Sequence, residues 1–212
     1  MNAVLQNALR TSVILFLFAL VGTALLAYTY SSTHDIIEKS AQEEKLAFIN
    51  QVLPKELYDN DLLAAWRALP ADPLLGTRRP SGMWLATKAG QPAGVVLEAV
   101  APEGYSGDIG LLIGIDANGT LTGVRVTQHK ETPGLGDYIQ LSKSPWILQF
   151  DGKAYHPGQD SLWKVKKDGG EYDARAGATV TPRAIVKAVR EALKYFHLHR
   201  ETLLQPTEVA TP

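Results

Sequence analysis

Residues 11–30 read TSVILFLFALVGTALLAYTY, a run without a single charge. Nothing else in the chain limits its fold so strongly. About 20 apolar residues in a helix span a hydrocarbon core of roughly 30 Å, and a helix satisfies its own backbone there. Tyr28 and Tyr30 stand at the C-terminal end, where aromatic rings meet headgroups. A cleaved signal peptide is the competing reading. Its apolar core is shorter, roughly 7–15 residues, and ends on an A-x-A-like site; no such pattern follows Tyr30. The sequence therefore predicts a short cytoplasmic N-terminus over 1–10 and a retained transmembrane helix over 11–30. Arg10 flanks one end; Lys39 and Lys45, with Asp35, Glu38, Glu43 and Glu44, follow the other. Lys and Arg set topology and barely discriminate here. The short N-terminal segment favours N-in, with the rest of the chain outside.

That remainder, in a chain of 212 residues, is enough for one domain of roughly 150 residues with its own core. Twenty-one basic residues against 22 acidic ones give a net charge of -1, so no basic surplus invites nucleic acid. There is no cysteine. Disulfides, thiolate zinc sites and Cys-ligated iron–sulfur clusters are excluded. Redox chemistry would need a bound organic cofactor, or a metal held by His and carboxylates. His197-x-His199 is half a metal site at the end of a helix, and no metal is expected there. Lys164, Lys166 and Lys167 read as a solvated face. No Ser-His-Asp order, nucleophile elbow, P-loop or dinucleotide fingerprint is present.

Residues 34–69 look helical. Ile36, Ile37, Leu46, Ile49 and Leu53 recur at helical spacing until Pro54 interrupts, and Asn60-Asp61 is placed to cap a further helix carrying Leu62, Leu63, Trp66 and Leu69. Residues 70–82 form a loop. Short runs of β-branched and apolar residues then predict strands at Met83–Thr87, Gly94–Val100, Asp108–Asp116 and Leu121–His129. Asn118-Gly119 between the last two is a hairpin signal. In the second of that pair Val124 and Val126 share one face, and Arg125, Thr127 and His129 the other. An apolar run (Trp146–Phe150), a strand (Leu162–Lys166) and a helix from Pro182 to about Phe196 follow. The tail, QPTEVATP, reads as loose.

The stretch from Asp173 to Arg183, DARAGATVTPR, carries the chemistry. It is a small-residue loop entering a helix. Pro182 suits the first helical position because its missing N–H would be unsatisfied there anyway. That makes Thr181 the expected N-cap, and a helix N-terminus attracts phosphate. Gly177 and Ala178 leave room for a bulky group to approach the backbone. An ordinary capped helix fits the same residues. The segment His129 to Asp137 (HKETPGLGD) also has two readings. Pro133-Gly134 and Gly136 impose a tight turn, after which Glu131 and Thr132 could bond the heteroatom edge of a bound ring and Leu135 pack on its face; or the segment is only a turn after an edge strand.

Asp173-x-x-Ala176-Gly177-Ala178-Thr179-x-Thr181 resembles the acceptor motif of bacterial flavin transferases. In that family FMN is joined through its phosphate to the final hydroxyl residue, here Thr181, and Asp173, Gly177, Ala178 and Thr179 would be recognised by the transferase. Ala176 stands where that motif has Ser or Thr. Independently, Gly104 to Asp116 and Gly119 to Asp137 resemble the FMN-binding domain of the RnfG family, a component of the Rnf ion-translocating oxidoreductase complex. A similar domain occurs in the related flavin component of Na+-translocating NADH:quinone reductase.

The resemblance implies an α+β fold with one N-terminal transmembrane helix, a helical connector over 31–82, an FMN-binding domain with an antiparallel sheet packed by helices over 83–200, and a flexible tail over 201–212. It implies one covalent FMN on Thr181, with Gly177, Ala178, Thr179, His129, Glu131, Thr132, Gly134 and Leu135 near the flavin. It implies an electron-transfer component of an ion-translocating complex in the inner membrane, with the flavin domain in the periplasm. Such a chain need not be an enzyme alone; its partners would be the other subunits and, during maturation, a flavin transferase. The quinone-reductase homologue, or a tethered module without redox chemistry, is the alternative. An ion path through this chain is not expected, because its spanning run lacks ionisable residues. Which of four Trp, if any, meets the ring stays open.

Overall fold

The computed structural model describes residues 3–205; residues 1–2 and 206–212, with most of the tail expected to be loose, lie outside it. The chain divides into two units, Met1–Lys45 and Leu46–Pro212. Helix α1 (Ala3–Val52) makes up the first and enters the second. Within it Gln6–His34 is long and apolar enough to cross a membrane, with a mean hydropathy of 2.2. Its apolar side chains are exposed all round, Phe18 at 79% and Leu26 at 73%, as befits a helix whose solvent is lipid. Thr29 and Thr33 donate their hydroxyls to the carbonyls of Leu25 (2.9 Å) and Thr29 (2.8 Å), so neither needs water.

In the second unit five strands form an antiparallel meander in chain order: β1 (Trp66–Leu69), β2 (Ser81–Lys88), β3 (Gln91–Gly104), β4 (Gly107–Asp116) and β5 (Leu121–Gln128). The β4–β5 hairpin turns where Asn118-Gly119 predicts it. Asp116 Oδ1 accepts from the amides of Asn118 and Thr120, both at 2.8 Å. One sheet face presents Met83, Leu85, Val95, Leu97, Leu111, Ile113 and Val124 to helix α2 (Val180–Leu203), which answers with Ile185, Val189, Leu193 and Phe196. The other face presents Trp84, Ala86, Val96 and Leu112 to the end of α1, where Ile49, Val52 and Leu53 are fully buried. Each such side chain contributes roughly 1.5–3 kcal/mol. With both faces covered, the central strands need apolar residues at successive positions. The sequence shows them as short unbroken runs instead of alternation.

Two local readings change. Asp61 caps only one turn, through Oδ1 to the amides of Leu63 (3.0 Å) and Ala64 (3.2 Å). Trp66–Leu69 is then strand β1, because the free edge of β2 offers a ladder from Trp66↔Trp84 to Leu69↔Ser81. The apolar run at 146–150 is a 3-10 helix, Pro145–Phe150. The strand expected at Leu162–Lys166 reduces to one bridge, Val165↔Tyr172, followed by a 3-10 turn at Lys166–Asp168. Arg125, on the face opposite Val124 and Val126, is 8% exposed, and its Nη1 donates to the Val124 carbonyl at 2.7 Å. Its face is the one α1 covers. Burial lowers its pKa and raises that of Asp151, and each partly offsets the other's shift.

Candidate functional site

Two segments far apart in sequence meet at the start of α2. One is the turn following β5, residues 129–137. The other is the loop 173–179 that feeds the helix. Thr181 lies in the first helical turn, 1% exposed, and its hydroxyl donates to Glu131 Oε2 at 2.6 Å. Glu131 is itself 4% exposed. Its Oε1 accepts from the Ser106 amide at 3.0 Å, which ties in the β3–β4 hairpin, and its own amide donates to His129 Nδ1 at 3.0 Å. Gly136 explains how the carboxylate and the hydroxyl fit together. A Cβ there would stand 2.7 Å from Glu131 Oε2 and 3.3 Å from Thr181 Oγ1. With φ at -92° the backbone is ordinary, so the glycine supplies room. The turn closes through the Gly136 amide to the Thr132 carbonyl (3.0 Å) and the Gly134 amide to Asp137 Oδ1 (2.8 Å).

Two aromatic residues pin the loop 173–179. The Tyr138 hydroxyl accepts from the Arg175 amide and donates to the Ala178 carbonyl, both at 3.2 Å. Trp146 Nε1 donates to the Asp173 carbonyl at 2.6 Å. The two rings meet edge to face, 5.7 Å apart, a favoured aromatic geometry. Burial pushes the Tyr138 phenol above its usual range, and the Arg175 amide and charge partly oppose this. Gly177, at φ +84°, takes the left-handed backbone that glycine tolerates best. Beyond the loop, Arg183 donates from Nε and Nη2 to the two oxygens of Asp168 (2.6 and 2.7 Å) and from Nη1 to Thr179 Oγ1 (3.3 Å). That hydrogen bonding, with the positive charge behind it, holds Asp168 below the usual carboxylate range.

Thr181 is not the N-cap expected from Pro182. The helix starts earlier, with Thr179 at the N-cap and no side-chain cap bond. Pro182 is still tolerated, because first-turn amides have no intrahelical partner and proline has no N–H to lose. For the same reason the amides of Val180 and Thr181 lack an i−4 partner at this helix end.

A cleft of about 240 Å³ opens over this helix end. Glu131, Thr132, Leu135, Gly177, Ala178, Thr179 and Thr181, all singled out by sequence, line it. Gly134 and His129 stand behind it, shaping the turn and holding the Glu131 backbone. Asp173 turns its side chain outward, 66% exposed, to Lys166 at 2.6 Å. Gly136, read from sequence as part of the tight turn, lines it too, and so do Tyr105 and Val180, which were not foreseen. Tyr105, at the tip of the β3–β4 hairpin, is 72% exposed; an aromatic residue inside the turn Gly104–Gly107 is the signal that could have found it. Trp146 packs beneath the loop as core. His197 Nε2 lies 3.1 Å from the Tyr155 carbonyl, and the His199 ring lies 4.5 Å from that of Tyr195.

Comparison with known proteins gives this geometry a family. Residues 104–194 match the family described as FMN-binding domain, and residues 1–52 match the RnfG N-terminal region. The G component of the ion-translocating oxidoreductase complex of Pseudomonas aeruginosa is 48% identical over 97% of this chain and 96% of its own length. The proteins of the same name from Vibrio cholerae and Aliivibrio fischeri are 45% and 43% identical, each over 92% of this chain and over 92% and 93% of their own lengths. A crystal structure of Shewanella oneidensis NqrC aligns with 68% of this chain and 74% of that one, at 21% identity and a TM-score of 0.47. At close to half identity across nearly the whole of both chains, this chain belongs to the RnfG family of ion-translocating oxidoreductase complex subunits.

Proposed function

We propose that this chain is an electron-transfer component of a membrane-bound, ion-translocating oxidoreductase, carrying one FMN as a phosphoester on Thr181. The observation that carries the reading is the Thr181 hydroxyl at the base of a cleft that both motif-bearing segments build. The residues present fit such a group. First-turn amides of α2 favour a phosphate. Gly177 and Ala178 keep the approach open. Tyr105, Leu135 and Val180 put exposed apolar surface on the rim, at 72%, 54% and 44%, where a flat ring would cover it.

FMN, when bound, accepts and donates one or two electrons. The chain's own residues hold and orient it. Thr181 fixes the phosphate, and the turn at 132–136 walls one side. At about 240 Å³ the cleft falls below the roughly 300–1,000 Å³ of pockets that enclose a ligand. Part of the ring would stay open to a redox partner elsewhere in the complex, as a relay requires. The outward Asp173 would be available to a flavin transferase during maturation. The candidate span at Gln6–His34 and the relatives named for an ion-translocating oxidoreductase complex support insertion in the inner membrane, where the flavin domain would lie on the periplasmic side.

The test is direct. The full chain is co-expressed with a flavin transferase, denatured and resolved on a gel under ultraviolet light. A yellow-fluorescent band is expected from the native chain and none from Thr181→Val. A dark native band with an active transferase present refutes covalent attachment, and a fluorescent Thr181→Val band moves the acceptor, Thr179 first.

A further inference from the structure

We infer that Glu131 is the proton acceptor for loading the flavin. The inference rests on the covalent reading above. A threonine hydroxyl is a weak nucleophile at neutral pH and needs a base within hydrogen-bond reach. Thr181 has one in place, since its proton already points at Glu131 Oε2 across 2.6 Å. The carboxylate is held for that contact by the Ser106 amide on Oε1 and by the missing Cβ of Gly136.

Esterifying an alcohol with a flavin phosphate requires an activated donor, a flavin phosphoanhydride such as FAD. The Thr181 Oγ1–phosphorus bond forms, and the anhydride bond on the far side of that phosphorus breaks. AMP leaves with the bonding electron pair, and the hydroxyl proton passes to Glu131 Oε2. Nothing is oxidised or reduced.

The experiment uses the full chain, purified in detergent from cells lacking the transferase, then mixed with the transferase and FAD. Initial rates of covalent labelling are read by in-gel fluorescence and intact mass. Glu131→Gln, checked for native circular dichroism, is expected to label at least ~100-fold more slowly at neutral pH, in line with the usual worth of a general base. The deficit should narrow as pH rises, because hydroxide then replaces the lost base; Glu131→Asp should recover part of the rate. Tyr105, His129, Asp137, Tyr138, Arg175 and Arg183, the other charged or titratable groups around the site, are unchanged and cancel in the ratio to the native chain. Gly136→Ala is the second variant. It alters no charge and pushes the carboxylate off the hydroxyl, so it should also slow labelling. Native-like rates in Glu131→Gln or in folded Gly136→Ala overturn the inference, as does a Glu131→Gln deficit that stays constant with pH. Absence of label on the native chain is a different failure, that of covalent attachment itself.

Discussion

Replacing Tyr138 by Phe removes one oxygen that holds two backbone groups of the loop 173–179. The ring stays edge-on to Trp146, so packing is largely kept; Tyr138 is 3% exposed and its apolar body remains buried. What goes is the acceptor for the Arg175 amide and the donor to the Ala178 carbonyl, both at 3.2 Å. A neutral hydrogen bond contributes about 0.5–1.5 kcal/mol net. Arg175 is exposed and Ala178 half-buried, so water takes over part of both bonds. The expected loss is therefore about 1 kcal/mol, a fall in Tm of roughly 2–4 °C for a folded unit of this size. The sharper readout is amide hydrogen exchange. The Arg175 amide should lose protection in Tyr138→Phe, while the amides of β3 and β4 keep theirs. A chain that melts as the native one does, with Arg175 still protected, would show that the loop is held by something other than Tyr138.

Leu53→Ala tests whether the end of α1 belongs to the core of the second unit; Leu53 is fully buried among Trp84, Val96 and Leu112. Truncation there should cost about 2–5 kcal/mol by denaturant melt, and a loss near zero would make the segment a mere connector. Asp168→Asn tests the clamp on Arg183. A carboxyl held low in the folded state stabilises above its unfolded pKa, and that stability is lost as pH falls through the folded value. The gap in Tm between native and variant chains should be full at neutral pH and close below the ordinary carboxylate range. A gap unchanged down to strongly acidic pH would place the stabilisation elsewhere.

Features that a few adjacent residues decide are legible in the sequence alone. The charge-free run at 11–30 needs no tertiary context to become a long helix, and Asn118-Gly119 fixes a hairpin through its own backbone preferences. Burial is less legible, because it depends on what packs from elsewhere. Leu62, Leu63, Trp66 and Leu69 satisfy a helical period as well as they satisfy one turn followed by an edge strand, and only the free edge of β2 decides between them. Alternation puts Arg125 on the face opposite Val124 and Val126, but nothing local says that α1 covers that face. Pro182 points to Thr181 as the cap, but a proline fits anywhere in the first turn, so the helix could begin at Val180. At the candidate site the motifs identify seven of the side chains around the cleft. They give no hint that Glu131 is buried against Thr181, since that contact joins positions 50 residues apart.

The contact bears on how the cleft can work. A helix N-terminus draws an anion, while a buried carboxylate 2.6 Å from the Thr181 hydroxyl repels one. Both act on the same oxygen, and at this range in a low-dielectric site neither is negligible. A site built only to bind free phosphate has no use for the carboxylate, which would weaken it. One built to make an ester would have a use for it, because a base is needed before the anion is fixed. Gly136 fits this order of events. A Cβ there would stand 2.7 Å from Glu131 Oε2 and 3.3 Å from Thr181 Oγ1, so any larger residue would crowd the pair at the point where carboxyl and hydroxyl meet.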